Sequence, residues 1–270
     1  MKTIKRYFSL GFYLLKFNIR SGFQYKAYLI GWLIANPLQF LLGFVTINVV
    51  ISKFQPLGGW EFGQVVFLYG LGIISHGLSV VFFIQTWYMG HTVTEGGFDR
   101  LIVRPVDVFF QFCFDYFNFI GFTDLIPGVI IFIYGCITSN FQPSFINIVK
   151  VIIAIIGAVF MRGGIYTITG SLAFWTKRSG SLTGISLSLF DYAVKYPMSI
   201  YPEVIQGMFT FLVPLGFISF YPSSELLNIE TGFSLPGSLC LWALAVGVGI
   251  YGFGILLFNK GMSRYESAGS

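Results

Sequence analysis

Four ionisable residues interrupt runs that are otherwise apolar: Asp124, Arg162, Asp191 and Lys195. An ionised side chain in such surroundings is costly, and it usually marks an ion pair or a pathway for substrate or protons. Asp124 and Arg162 fall about 14 and 15 residues from the outer ends of two successive runs, which gives them similar depth on antiparallel neighbours. They are expected to form an intramembrane ion pair, with a substrate or proton role as the alternative. Asp191 and Lys195 stand four apart and can pair along one helix face. Asn36, Pro37 and Gln39 break the polarity of an earlier run, either to line a cavity or to mark a packing kink.

Other chemistries are not signalled. The chain lacks the G-x-x-x-x-G-K-[ST] phosphate loop and the H-E-x-x-H metal motif. His76 and His91 are each alone, and no serine sits in a nucleophile-elbow context. Cys113, Cys136 and Cys240 lie in or beside apolar runs without metal-ligand spacing, which is the pattern of buried structural cysteine. Neither a catalytic site nor a metal site is expected in this chain.

A different kind of site is suggested by Glu95–Pro105, EGGFDRLIVRP, a charged stretch between two long apolar runs. Gly96 and Gly97 allow a sharp turn. Phe98, Leu101 and Ile102 then recur at i, i+3 and i+4, which makes one apolar helical face, with Asp99, Arg100 and Arg104 off it. Pro105 ends the helix, because the residue before a proline avoids helical angles. A short amphipathic helix at a membrane surface reads as a docking surface for a soluble partner. Asp115 is expected near the same surface, solvated.

The elements that must position these residues follow from composition. Of 270 residues, 55% are hydrophobic and 10% charged, whereas a soluble domain carries about 25% charged residues. The chain is therefore read as an all-α polytopic membrane protein, a single transmembrane domain over 1–270. The formal charge of +5 is spread over loop ends rather than gathered on one face, so nucleic acid is not implied. Met1 to Lys26 places Ile4, Phe8, Phe12, Leu15 and Ile19 on one helical face and Lys2, Lys5, Lys16 and Arg20 on the other, the pattern of an interfacial helix rather than a cleavable signal. Six spans are expected near 27–52, 62–88, 112–137, 147–174, 181–198 and 236–258. With that arrangement twelve Lys and Arg residues fall on one side, and only Lys53 and Lys150 on the other. The bias puts both termini, the 89–107 segment and the 259–270 tail in the cytoplasm.

Residues 199–235 are too apolar for a plain loop, yet Pro197, Pro202, Pro214 and Pro222 interrupt this region. Between Pro202 and Pro214 there are eleven residues, roughly 17 Å of helix and too short to cross. An external re-entrant helical hairpin before the last span is expected, tolerated where protein or a water-filled cavity surrounds it. The alternative makes 182–196 interfacial and 203–221 a kinked span.

Four features together resemble the permease subunits of bacterial type-2 ABC exporters, in the subfamily whose two permeases often share one ATPase. They are the basic amphipathic N-terminal helix, GGFDRLIVRP at Gly96–Pro105, YPMSIYP at Tyr196–Pro202 with VPLGFISFYP at Val213–Pro222, and the ending RYESAGS at Arg264–Ser270. The resemblance spans essentially the whole chain. It implies that Gly96, Gly97, Phe98, Asp99, Arg100, Leu101, Ile102, Arg104 and Pro105 form a coupling helix that docks on a cytoplasmic ABC ATPase dimer. It implies that Pro197, Pro202, Pro214 and Pro222 belong to a hairpin capping the translocation path. ATP and Mg would be held by the ATPase and not by this chain. A second permease chain, identical or paralogous, would complete the path in the bacterial cell membrane. A hydrophobic or amphipathic substrate such as a drug, peptide antibiotic or lipid-like molecule would be moved outward by alternating access. Arg162 and Lys195 match no family motif. The alternative is an ATPase-independent channel or secondary transporter, although the proline breaks lie in the second half only, against the inverted-repeat pattern.

The charge bias generates a topology test. Single cysteines at Gly58 and Asn228 should react with an impermeant thiol reagent added to sealed cells, and one at Ser267 should not. Labelling at Ser267 but not at Gly58 would reverse the orientation.

Overall fold

The computed structural model describes residues 11, 16, 26–53, 56–115, 118–177, 180–233 and 235–266. Apart from residues 11, 16 and 26, the expected interfacial helix over 1–26 lies outside the described residues, as do the last residues of the RYESAGS ending. Among those described, the chain is helical and carries no strand.

The long helices are α1 (Lys26–Lys53) and α2 (Phe62–Trp87), then α6 (Gly121–Thr138), α7 (Phe145–Ser171) and α12 (Leu239–Met262). Between α2 and α6 run the short α3 (Met89–Thr94), α4 (Asp99–Ile102) and α5 (Val108–Phe114). After α7 come α8 (Ala173–Thr176), α9 (Gly180–Lys195), α10 (Glu203–Gly207, continued as a π-turn over Met208–Leu212) and α11 (Phe220–Leu226). Five segments among the described residues are long and apolar enough to cross a membrane: Leu29–Lys53, Phe62–Thr94, Gly121–Thr138, Phe145–Thr176 and Leu239–Met262.

One expected span is corrected. The third, 112–137, is broken between α5 and α6. The Asn118 side chain accepts the Ile120 N–H at 2.9 Å, a local bond that competes with continuing the helix. The fifth, 181–198, contains the 16-residue α9, which with Met198–Ile200 leads to the end of the bundle that holds Gly58. The helix stops before Pro197, as a residue preceding proline resists the helical region.

The molecule is built around α2, most of which is buried. One flank packs on α6 and the other on α7, and α7 packs in turn on α12. Glycines let the backbones meet. A Cβ at Gly135 would lie 2.5 Å from Phe67 Cα, and one at Gly157 would lie 2.5 Å from the Ala243 carbonyl carbon. Small-residue contacts of this kind hold helices together in lipid, where apolar side chains gain nothing by leaving the solvent. The apolar side chains point outward instead: Ile34 and Leu42 on α1, Ile130 and Ile137 on α6, Ile146 and Ile152 on α7, and Leu241 and Leu256 on α12 are all exposed.

The proline-rich segment is fixed to one end of this bundle. Ser199 Oγ donates to the Gly58 carbonyl at 2.7 Å, and the Trp60 and Phe220 rings lie 5.5 Å apart. Glu225 Oε1 pairs with Lys150 Nζ at 2.7 Å, while Oε2 accepts Ser238 Oγ at 2.9 Å and the Cys240 N–H at 2.8 Å. Burial alone would raise the Glu225 carboxyl, but these donors outweigh it and hold the group below its ordinary range. Pro197, Pro202 and Pro214 each precede a short helical piece. Pro222 differs from expectation: it lies within the first turn of α11, where its missing N–H is not needed, and so does not separate two helices. Residues 199–220 do not form one continuous helix.

The glycine seams predict position-specific sensitivity within one helix. Gly247 abuts the Gly157 backbone, whereas Gly249 has nothing within 4 Å. Gly247→Leu should lower stability by about 1–3 kcal/mol or more through overpacking, and Gly249→Leu should leave it unchanged. Melting of the two detergent-solubilised variants compares them directly, and equal melting would contradict the seam.

Candidate functional site

Two places gather the polar residues singled out by the sequence. The first is the corner from α3 to α5. Gly96 turns the chain with φ +71°, and the Gly97 N–H donates to the Thr92 carbonyl at 2.9 Å. The four-residue α4 follows. Its apolar face is not free. Phe98 is fully buried, with ring centroids 5.0 Å from Phe112, 5.5 Å from Phe174, 5.7 Å from Phe258 and 5.8 Å from Tyr265. Leu101 is buried in the same cluster. The expectation that Phe98, Leu101 and Ile102 together face a soluble partner is thus corrected. The first two are the subunit's own core, and Ile102 is half exposed beside Val103, at 82% exposure, and the exposed Arg104 and Pro105.

The rest of the corner is tied down from outside. Arg100 Nη2 pairs with Asp115 Oδ2 at 2.8 Å, so Asp115 is not merely solvated. Gln111 Nε2 donates to the Val106 carbonyl at 2.7 Å. Burial, reinforced by the nearby Asp99 carboxylate, pushes the Tyr265 hydroxyl up to about 12.

The second place is a cavity of about 340 Å³ walled by α1, α2, α6 and α9, with Asn118 and Ile120 from the turn before α6. Its lining includes Trp32, Asn36, Gln39, Phe40, His76, Trp87, Tyr88, Asp124 and Asp191. Asn36 Nδ2 donates to Thr123 Oγ1 at 2.8 Å and to Asp124 Oδ1. His76 Nε2 lies 3.8 Å from Asp124 Oδ2. A recess of about 20 Å³ adjoins it, lined by Gln39, His76, Arg162, Asp191 and Lys195 among others. That is room for about one water.

The expected Asp124–Arg162 ion pair is not formed. The helices α6 and α7 are not neighbours, because α2 lies between them. Asp124 is instead held by Asn36. Arg162 is buried with its guanidinium carbon 4.8 Å over the Phe190 ring, and its Nε has no hydrogen-bond partner among the described residues. Asp191 and Lys195 share the recess wall but make no contact within 4.0 Å either. Asn36 and Gln39 line the cavity, as one of the two readings had it.

The fold and these sites can be set against known sequences. The family model for ABC-2 family transporter proteins matches residues 38–269. The chain belongs to the ABC-2 transporter family. This ABC-2 permease is thus a multi-pass membrane component of a transporter. Such permeases generally work with ATPase partners and are generally not catalytic themselves. No curated protein sequence matches the chain.

Several cavity residues of this permease carry no chemical signal of their own in the sequence. In the sequence His76 stands alone, and nothing about Trp32, Trp87 or Tyr88 taken singly marks a site. A helical-period signal was available. Trp32, Asn36 and Gln39 lie at i, i+4 and i+7, one face of α1, and His76, Val80 and Trp87 lie at i, i+4 and i+11 on α2.

The cavity contacts generate a paired test by thermal unfolding of the purified permease. Asn36→Ala strands a buried carboxylate and should cost about 1–3 kcal/mol. Combined with Asp124→Ala it should be non-additive by roughly 0.5–3 kcal/mol. The pair Asp124→Asn and Arg162→Gln should add. Coupling in the second cycle but not the first would contradict the arrangement.

Proposed function

We propose that this chain is the membrane-spanning subunit of an ATP-driven ABC exporter. It moves a hydrophobic or amphipathic substrate out of the cell by alternating access, coupled to a separate cytoplasmic ATPase dimer. ATP and Mg bind on that dimer. Two permease chains, identical or paralogous, enclose the path in the bacterial cell membrane, with both termini cytoplasmic. Residues 199–235 cap the path on the outer side as a re-entrant hairpin. That reading is supported by the contacts of Ser199, Phe220 and Glu225 with one end of the bundle.

One observation carries the coupling role: an exposed edge mounted on a rigid aromatic anchor. Ile102, Val103, Arg104 and Pro105 form the edge that meets the ATPase, with Asp99 and Arg100 at its side. Behind the edge, Phe98 packs on residues from α5, α8, α12 and the segment after α12. A displacement of the edge is therefore carried into the ends of several helices rather than absorbed by a loose loop. Gly96, Gly97 and Leu101 are positioning residues in this scheme, setting the turn and the anchor.

The two layers separate by mutation. Val103→Asp should reduce co-purification of the ATPase about tenfold or more, since an apolar anchor is commonly worth about 2 kcal/mol, while folded yield of the permease stays normal. Phe98→Ala should lower the folded yield of the isolated permease, as large-to-small aromatic changes in a core cost about 3–5 kcal/mol. Unchanged ATPase capture by Val103→Asp would remove the docking edge.

A further inference from the structure

The cavity between α1, α2, α6 and α9 has a definite chemical character. Two carboxylates line it, Asp124 and Asp191. Among the described residues neither has a lysine or arginine within 4.0 Å. The basic residues nearby, Arg162 and Lys195, line the small recess on the Gly72–Ile73 side of His76, whose wall Asp191 shares and Asp124 does not. The opposite side, toward Trp87, carries aromatic rings. Trp87 and Tyr88 stack at 6.0 Å with 11° between planes, and Trp32 faces the same space. The volume of about 340 Å³ falls within the range for small-molecule sites.

We infer that this cavity binds an amphipathic organic monocation, its charge at Asp124 and Asp191 and its apolar body against Trp32, Trp87 and Tyr88. Aromatic faces attract cations through the ring quadrupole. A carboxylate without a cationic partner is most favourably satisfied in an apolar setting by a ligand of opposite charge. An anion is disfavoured because the guanidinium and ammonium groups are confined to a recess too small for anything beyond about one water. The inference rests on the permease reading and narrows its substrate class from amphipathic to cationic.

The test uses the purified full-length chain in nanodiscs of neutral lipid, without ATPase or nucleotide. The probes are tetraphenylphosphonium and tetraphenylborate, which share shape and differ in charge sign. Equilibrium dialysis, corrected for empty nanodiscs, should show saturable binding of the cation and none of the anion. Asp191→Asn should weaken cation binding tenfold or more, and its exposed position makes it safe for folding. Asp124→Asn keeps an acceptor for Asn36 and should weaken binding similarly. Failure of the cation to bind, equal saturable binding of both probes, or unchanged affinity in both variants would overturn the inference. Because no ATPase is present, loss of ATPase co-purification would count against the exporter reading alone and leave this result standing.

Discussion

Close approach of backbones along α2 is the constraint on which the rest of the molecule depends. In lipid, apolar side chains lose nothing by facing outward, so helices associate where they can touch without side chains between them. Gly70, Gly128 and Gly135 let α6 lie against one flank of α2, and Gly163 admits the Phe83 ring on the α7 side. Once both flanks are taken, Asp124 and Arg162 are on opposite sides of a buried helix. Their charges must then be satisfied separately: one by an amide from α1, the other by the face of an aromatic ring. The cavity is the space left where α1 and α9 cover α2 less closely than α6 and α7 do.

The α3–α5 corner follows a different logic. It is short of backbone hydrogen bonds to the long helices and relies on aromatic packing. A single ring, Phe98, touches four others contributed by distant segments. Aromatic pairs in offset or edge-on geometry add about 0.5–1.5 kcal/mol each beyond their burial. The Arg100–Asp115 pair on the outside is exposed and contributes less. Position, rather than charge, is what this corner secures.

Much of this was legible in the sequence. Low charge and long apolar runs gave the membrane class, and the bounds of α1, α2, α7 and α12 fall close to the expected spans. The prolines at 197, 202 and 214 marked real breaks. Periodicity correctly placed Phe98 and Leu101 on one face of a short helix. It could not tell what that face packs on, because Phe112, Phe174, Phe258 and Tyr265 are far away in the chain. The same limit applied to Asp124 and Arg162. Depth along a helix can be counted from sequence, whereas which helix stands between two others depends on glycine contacts that no hydropathy pattern records. The break before α6 was hidden because the aromatic and aliphatic residues around Asn118 look like the interior of a span.

The carboxylate of Glu225 joins the start of α7, through Lys150, to the start of α12, through Ser238 and the Cys240 N–H. Further along, the same two helices meet backbone to backbone at Gly157 and Gly164. Two helices fastened at one end and again along their length cannot slide or splay independently. They amount to a single stiff plank, with the Phe174 and Phe258 rings at its far end resting on Phe98. A push delivered there would tilt the whole plank, so its small arc at the α4 corner would reappear roughly 27–36 Å away, at the helix rise of 1.5 Å per residue, as movement of α11.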